Sequence, residues 1–341
     1  MTKRYATVAL AVLLFVSLAA TAPVAAASAS TSATQTDCTF PFTTEDATGQ
    51  NVTVEERPDS IVVLQPSAAQ TVWELGAQDR VVGAPVNPFT AYLDGIESKE
   101  PALNDDQFSV NQEAVVNLSA DIVLAPNVVP DETVNSLREA NQTVFKFGFG
   151  TSLQFIADKT ALTGRLIGSC DAAEATNEEY WNRIDAVRNQ TGEYESPRAM
   201  YFTDNFTAGS GTFINELITT AGGTNVPAEN GVQSYQAIND EALVEWNPEV
   251  IIVSSGTGGV PNTAAYESTF AVQNDQVVAV NGNYISQPGP RIALALEDIA
   301  AAFADAELES EKTATEDDGA GFGPAVAISA LLGAALLARR L

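Results

Sequence analysis

The sequence predicts an α/β fold of two Rossmann-like lobes with mainly parallel sheets, joined by a long rigid helix and enclosing a ligand cleft between them. Three observations predict it. The first is a segment that occurs twice, N-Q-E-A-V-V-N-L-S-A-D-I-V at residues 111–123 and N-D-E-A-L-V-E-W-N-P-E-V-I at residues 239–251. Each copy reads as a short helix capped by Asn (Asn111, Asn239), a turn, and an apolar buried strand. The second is the alternation of strand and helix signals on either side of residues 151–190. The third is that stretch itself, which is helical in period and lacks strand character. Two copies so far apart do not make a solenoid. They point to two similar lobes, and ligands commonly occupy the crevice between such lobes.

Residues 28–51 begin as a small, polar spacer (28–37) and enter a hairpin over 39–54, turned at Gly49-Gln50-Asn51. The run I-V-V-L at 61–64 is a buried strand. Gln65-Pro66-Ser67 then opens an apolar-periodic helix that stops at Gly76, and Val81-Val82-Gly83 is the next strand. The first repeat copy adds a helix and a strand, 131–140 is a helix, and 144–147 a strand. This β-α-β-α-β-α-β order over 52–150 implies a mainly parallel sheet covered on its faces. Within the connector, 151–190, two long helices are expected at 152–166 and 172–188. The second, with Tyr180, Ile184 and Val187 on one side, is the expected bridge. The second lobe, 191–306, runs as a strand at 199–203, a helix at 213–221, the second repeat copy, a strand at 277–280 and a helix at 292–304. Each lobe is long enough to bury its own core.

The N-terminus carries Lys3 and Arg4, an apolar run over 5–20 and small residues at 25–27, the pattern of a secretory signal over 1–27. At the other end an acidic linker, 307–323, leads into an apolar segment, 324–341, shorter than the roughly 20 residues that span a bilayer. Forty-four acidic against sixteen basic residues give a formal charge of −28, dispersed along the chain and poor in Lys. Such a surface fits solvation in high salt, where repulsion is screened. It excludes nucleic acid as a partner, because no basic stripe exists to neutralise phosphates. Cys38 and Cys170 favour one disulfide in an exported chain, with lipidation of Cys38 as the competing use. Sequons at Asn51, Asn117, Asn141, Asn189 and Asn205 permit surface glycosylation. The chain has no His, which argues against a free-metal receptor and against His-based catalysis. No phosphate-cradling or nucleophile-elbow motif occurs, so no catalytic residue, metal site or cofactor is expected.

The segments R-P-D-S-I-V-V-L-Q-P-S (57–67), W-E-L-G-A-Q-D-R-V-V-G (73–83), both repeat copies, A-G-G-T-N-V (221–226) and P-G-P-R (288–291), in this order, resemble the ABC-importer substrate-binding proteins of the cobalamin and iron-siderophore type. The resemblance spans most of 52–303. It implies a binding protein, not an enzyme, that captures cobalamin, a ferric siderophore or haem and delivers it to an ABC permease dimer with its ATPase. It also implies that Glu113 and Glu241, the first-turn carboxylates of the two repeat copies, dock on the permease; solvated carboxylates favoured by the helix dipole are the alternative. The tail, G-A-G-F-G-P (319–324) followed by an apolar run and Arg339-Arg340, resembles the archaeal sorting signal built on Pro-Gly-Phe, with Ala320 in place of the Pro. That resemblance implies attachment at the extracellular face of the membrane by the C-terminal anchor or by a lipid replacing it.

A cleft at the carboxyl ends of the strands is expected to draw Gln65, Pro66, Ser67, Asn87, Phe89 and Asn127 from the first lobe. From the second it takes Asp204, Asn205, Phe206, Tyr235, Tyr284 and Arg291. By the resemblance, Phe206, Tyr235 and Tyr284 match aromatic cleft positions of the cobalamin binders, whereas Gln107 stands where those carry Trp, which counts against cobalamin. Arg291 is expected to meet an anionic ligand group or to bridge to Glu297 or Asp298 on its own helix. A glycosylated adhesion protein without a transport role is the alternative function. It accounts for the ends and the sequons but not for two lobes with matched carboxylates.

Overall fold

The computed structural model describes residues 38–191 and 196–317, with side chains described to residue 306. The expected export segment 1–27, the spacer to residue 37 and the sorting tail from 318 lie outside the described residues. The described chain opens with an antiparallel hairpin, β1 (Phe42–Glu45) and β2 (Asn51–Val54). The first lobe follows as β3 (Ile61–Val63), α1 (Pro66–Glu74), β4 (Val81–Ala84), β5 (Glu100–Pro101), α2 (Gln112–Leu118), β6 (Ile122–Ala125), α3 (Asp131–Glu139) and β7 (Val144–Lys146). Its sheet is parallel throughout, in the order β5-β4-β3-β6-β7. The central strands are apolar on both faces, as a sheet covered above and below requires. Ile61, Val63, Ile122 and Leu124 pack with α1, and Val62, Val123 and Ala125 pack with α2 and α3.

The hairpin has a second task, closing the β7 edge. Ala47 N–H donates to the Lys146 carbonyl (2.9 Å), Lys146 N–H donates to the Asp46 carboxylate (3.1 Å), and Arg138 donates to the Val144 carbonyl (2.9 Å). An edge so covered offers no ladder to another chain. Burial pushes the Asp46 carboxyl up, but hydrogen bonds from Thr48, Lys146 and Arg138 outweigh it and hold the group below the usual carboxylate range.

The connector is a helical pair, α4 (Leu153–Ile167) and α5 (Cys170–Gln190), and both helices cross between the lobes. Leu153 and Ile156 of α4 lie in the second lobe's core with Tyr180, Ile184 and Val187 of α5, while Leu166, Ile167 and Ala173 lie in the first lobe's core. The single bridging helix expected at 172–188 is therefore half of the bridge. A stripe divided between two cores has the period of an ordinary amphipathic helix, so α4 gave no sign of crossing. The pair is packed closely at Gly164, where a Cβ would meet that of Ala173 at 2.4 Å. Cys38 and Cys170 form the disulfide, Cα–Cα 5.7 Å, tying the start of the described chain to α5.

The second lobe comprises β8 (Arg198–Phe202), β9 (Phe206–Ala208), α6 (Phe213–Thr220), β10 (Thr224–Asn225), α7 (Val226–Glu229), β11 (Tyr235–Ala237), α8 (Asp240–Trp246), β12 (Val250–Ser254), α9 (Ala264–Glu267), α10 (Phe270–Gln273), β13 (Val277–Val280), α11 (Gly282–Ile285) and α12 (Ile292–Asp317). Its sheet, β10-β8-β12-β13, is again parallel. Beside it β9 and β11 form an antiparallel ribbon that the sequence did not announce, because three-residue strands carry no measurable alternation. Among the described residues no helix is long and apolar enough to cross a membrane.

Candidate functional site

The lobes meet through segments leaving the carboxyl ends of β3 and β4 on one side and of β13 on the other, which puts a crevice where parallel sheets place their ligands. Gln70 of α1 is fully buried at the centre of this seam. Its Nε2 donates to Tyr92 Oη (3.0 Å), the Asn283 carbonyl (3.4 Å) and Gln287 Oε1 (3.4 Å), and its Oε1 accepts from Arg291 N–H (3.1 Å). Tyr92 Oη donates onward to Gln287 Oε1 (3.0 Å), and Gln287 Nε2 donates to the Phe89 carbonyl (2.9 Å). Gly289 is required here, since a Cβ would come within 2.4 Å of Gln70 Oε1.

Charged groups reinforce the seam. Arg291 Nε donates to Glu74 Oε1 across the lobes (2.6 Å), and its guanidinium lies over Tyr92 (5.0 Å) and Tyr284 (5.9 Å). Burial lowers the Arg291 pKa, but Glu74 and the tyrosines outweigh it and raise it overall. Lys159 of α4, 5% exposed, donates from Nζ to the Pro288 carbonyl (2.9 Å), and burial lowers its pKa to about 7. Three of the expected ligand contacts thus belong to the seam: Ser67 is buried, Tyr284 packs edge-on against Tyr92 at 6.0 Å, and Arg291 is paired with Glu74. Neither alternative for Arg291 on its own helix holds. Glu297 is taken by Arg183 (3.0 Å), and burial, followed by the nearby charge of Glu297, raises the pKa of Asp298.

Beyond the seam the crevice presents bare apolar groups. Val86 and Phe89 follow β4, Phe108 precedes α2, Val128 follows β6 and Phe149 follows β7; all are exposed, Phe108 at 69%. Large exposed rings gathered on one surface are what binding sites show. Phe89 and Phe108 lie 6.5 Å apart, tilted by 47°. The Phe108 loop is held rigidly: Asp106 accepts hydrogen bonds from Phe108 N–H (2.9 Å), Ser109 N–H (2.9 Å) and Ser109 Oγ (2.6 Å), and Gln65 Nε2 donates to the Phe108 carbonyl (3.2 Å). Asn87 Oδ1 accepts from Phe89 N–H (3.0 Å), while its Nδ2 is buried with no partner among the described residues. Pro66 occupies the first turn of α1, and Asn127 is half-buried after β6.

In the second lobe Asp204 and Asn205, with φ of 46° and 65°, form a tight turn in which Thr203 and Phe206 exchange backbone hydrogen bonds. Phe206 is 46% exposed. Beside the turn a shallow hollow of about 460 Å³ is lined by Phe202, Asp204, Asn205 and the Thr257–Pro261 loop. Tyr235, on β11, is half-buried, and burial raises the pKa of its hydroxyl.

The repeat gives the rim its symmetry. Asn111 Oδ1 accepts from Ala114 N–H (3.1 Å) and Asn239 Oδ1 from Ala242 N–H (2.9 Å), and both helices end in a left-handed residue, Ser119 and Asn247. Glu113 and Glu241 are therefore held alike, exposed in the first turns, with no partner among the described residues.

Sequence reasoning missed Gln70, Tyr92, Lys159, Gln287, Phe108 and Phe149. A signal existed for two of them: Gln70 interrupts the apolar face of α1 beside Ala69 and Val72, and Lys159 sits in an apolar stripe of a Lys-poor chain.

A family model for periplasmic binding proteins matches residues 61–284, and a PGF-CTERM motif matches residues 319–341. A cobalamin-binding protein of Halobacterium salinarum is 38% identical over 332 residues, covering 89% of this chain and 89% of that one. A vitamin B12-binding protein of Vibrio cholerae is 25% identical over 268 residues, covering 77% and 94%. Among solved structures, the periplasmic vitamin B12 binding protein of Vibrio cholerae aligns with a TM-score of 0.63 at 23% identity, covering 73% of this chain and 98% of that one. The periplasmic heme-binding protein of Roseiflexus aligns at 0.65 and 21% identity, covering 73% and 99%. At such identities these structures speak to the fold.

Proposed function

The chain belongs to the periplasmic binding protein family, whose members bind solutes rather than transform them, and we propose that it serves an ABC importer by carrying a corrinoid such as cobalamin. The PGF-CTERM motif marks it as an exported, surface-anchored archaeal protein. It works at the extracellular face of the membrane, held by its C-terminal segment or by a lipid in its place.

The reading is carried by the bare aromatic surface of Phe89, Phe108 and Phe149, with Phe206 in the second lobe. A corrin ring has broad apolar faces and amide-bearing edges, which suit rings, carbonyls and carboxamides more than fixed charges. Phe108 supplies a ring one residue after Gln107, the position where cobalamin binders carry Trp. Charge then separates the ligand classes. The basic side chains described to residue 306 are engaged by the chain's own carbonyls, carboxylates or rings. Haem propionates and ferric catecholates call for free guanidinium or ammonium groups. Haem iron also calls for an axial ligand, and in a chain with no His that ligand would have to be a Tyr.

Equilibrium dialysis against cyanocobalamin, haem and a ferric catecholate tests this. Cyanocobalamin is expected to bind at about micromolar Kd or tighter, near −8 kcal/mol. Haem or catecholate binding without cyanocobalamin overturns the ligand class, and no binding by any overturns carriage. Glu113 and Glu241 would meet basic sites on the two halves of a permease dimer. Replacing both (Glu113→Lys with Glu241→Lys) is expected to abolish corrinoid uptake by cells and leave cyanocobalamin binding unchanged; a loss of binding would assign them to the fold instead.

A further inference from the structure

We propose that Asn141 is an N-glycosylation site and that Asn205, in a matching sequon and a matching backbone conformation, is not. In N-linked transfer the Asn carboxamide nitrogen bonds to C1 of the reducing-end sugar of a polyprenyl-phosphate-linked oligosaccharide. The C1–O bond to the lipid phosphate breaks, the phosphate leaves with the electron pair, and the nitrogen loses a proton to a base of the transferase. The enzyme also engages the Ser or Thr hydroxyl two residues on. Carboxamide and hydroxyl must therefore be reachable together.

The five sequons meet this demand unequally. Asn117 and Asn189 lie in the last turns of α2 and α5, and their hydroxyl partners are the C-caps Ser119 and Thr191, whose side chains donate back to the Val116 (3.4 Å) and Arg188 (3.0 Å) carbonyls. Asn51 and Thr53 share a face of β2, but the Thr53 hydroxyl is bonded to Thr43 Oγ1 (2.9 Å). Asn141 and Asn205 are both exposed and left-handed, with φ of 62° and 65°. They part at the hydroxyl. Thr207 is 1% exposed, and its Oγ1 is buried in β9 with no partner among the described residues. Thr143 is half-buried in the irregular segment between α3 and β7, and its side chain makes no hydrogen bond among the described residues. Asn at position 141 also suits a helix C-cap, so the reachable Thr143, and not the Asn alone, distinguishes the site.

Location agrees. Asn141 leads into the amino end of β7, the opposite end of the sheet from the crevice. A glycan at Asn205 would instead stand over the hollow beside Phe202.

Mass spectrometry of peptides from protein purified from the cells that export it tests the proposal. A hexose-containing addition is expected on the Asn141 peptide and none on the Asn205 peptide. Thr143→Val keeps the shape and removes the hydroxyl, and Asn141→Gly keeps the left-handed turn. Both are expected to lose the addition with melting temperature unchanged. An unmodified Asn141, an addition that survives Thr143→Val, or a glycan on Asn205 overturns the proposal.

Discussion

The seam and the mouth of the crevice are built from the same kind of segment, chain leaving the carboxyl ends of strands, yet they are opposites. At the seam Gln70, Tyr92, Gln287 and Arg291 answer one another's polar groups across the lobes. At the mouth Phe89, Phe108 and Phe206 stand uncovered. The contrast separates two uses of one surface: the fold consumes its polar side chains to fix the lobes, and rings are left for a ligand. Removing one member of the seam should break this division most. Gln70→Leu leaves the Arg291 N–H and the Tyr92 and Gln287 oxygens short of partners in a buried site, so stability in urea is expected to fall by about 2–4 kcal/mol. An unchanged unfolding midpoint would mean that the connector pair alone holds the lobes.

The mouth should answer in the other currency. Phe108→Ala removes a ring that touches little of the protein, so stability should stay within about 0.5 kcal/mol. Cyanocobalamin affinity should drop about 30-fold, near 2 kcal/mol, as for an anchoring aromatic. Equilibrium dialysis reads the affinity and urea unfolding reads the stability. A variant that loses stability but keeps affinity would move Phe108 from the mouth to the core.

The same contrast explains what the sequence made legible. The repeat copies announced α2, β6, α8 and β12 with their Asn caps, because capping and a buried strand are local patterns. The mouth was half legible: Phe89 and Phe206 follow recognisable strands, whereas Phe108 lies beyond the two-residue β5, which is too short to read. The seam was nearly illegible, since Gln70 meets Gln287 across a separation of 217 residues. Arg291 illustrates the cost. Its scarcity as a cation near the crevice was a sound reason to single it out, but the partner that takes it, Glu74, belongs to the other lobe.

Lys159 gives the smallest effect, and a sharper test, because it places a titratable group on the seam side alone. Its pKa is lowered by burial from 10.5 to about 7. Between those values the unfolded chain holds a proton that the folded chain has released, so stability should rise with pH across that window. Below about pH 7 the folded state must carry a buried ammonium, and this contribution is at its least favourable. Unfolding in urea at pH 7 and pH 9 should therefore show the native protein gaining about 2 kcal/mol relative to Lys159→Met, whose side chain keeps the length and cannot titrate. Cyanocobalamin affinity should follow neither the pH nor the substitution, because Lys159 reaches Pro288 and not the mouth. A pH-dependent affinity abolished by Lys159→Met would show that the seam moves with the ligand, and the two regions would then be one device.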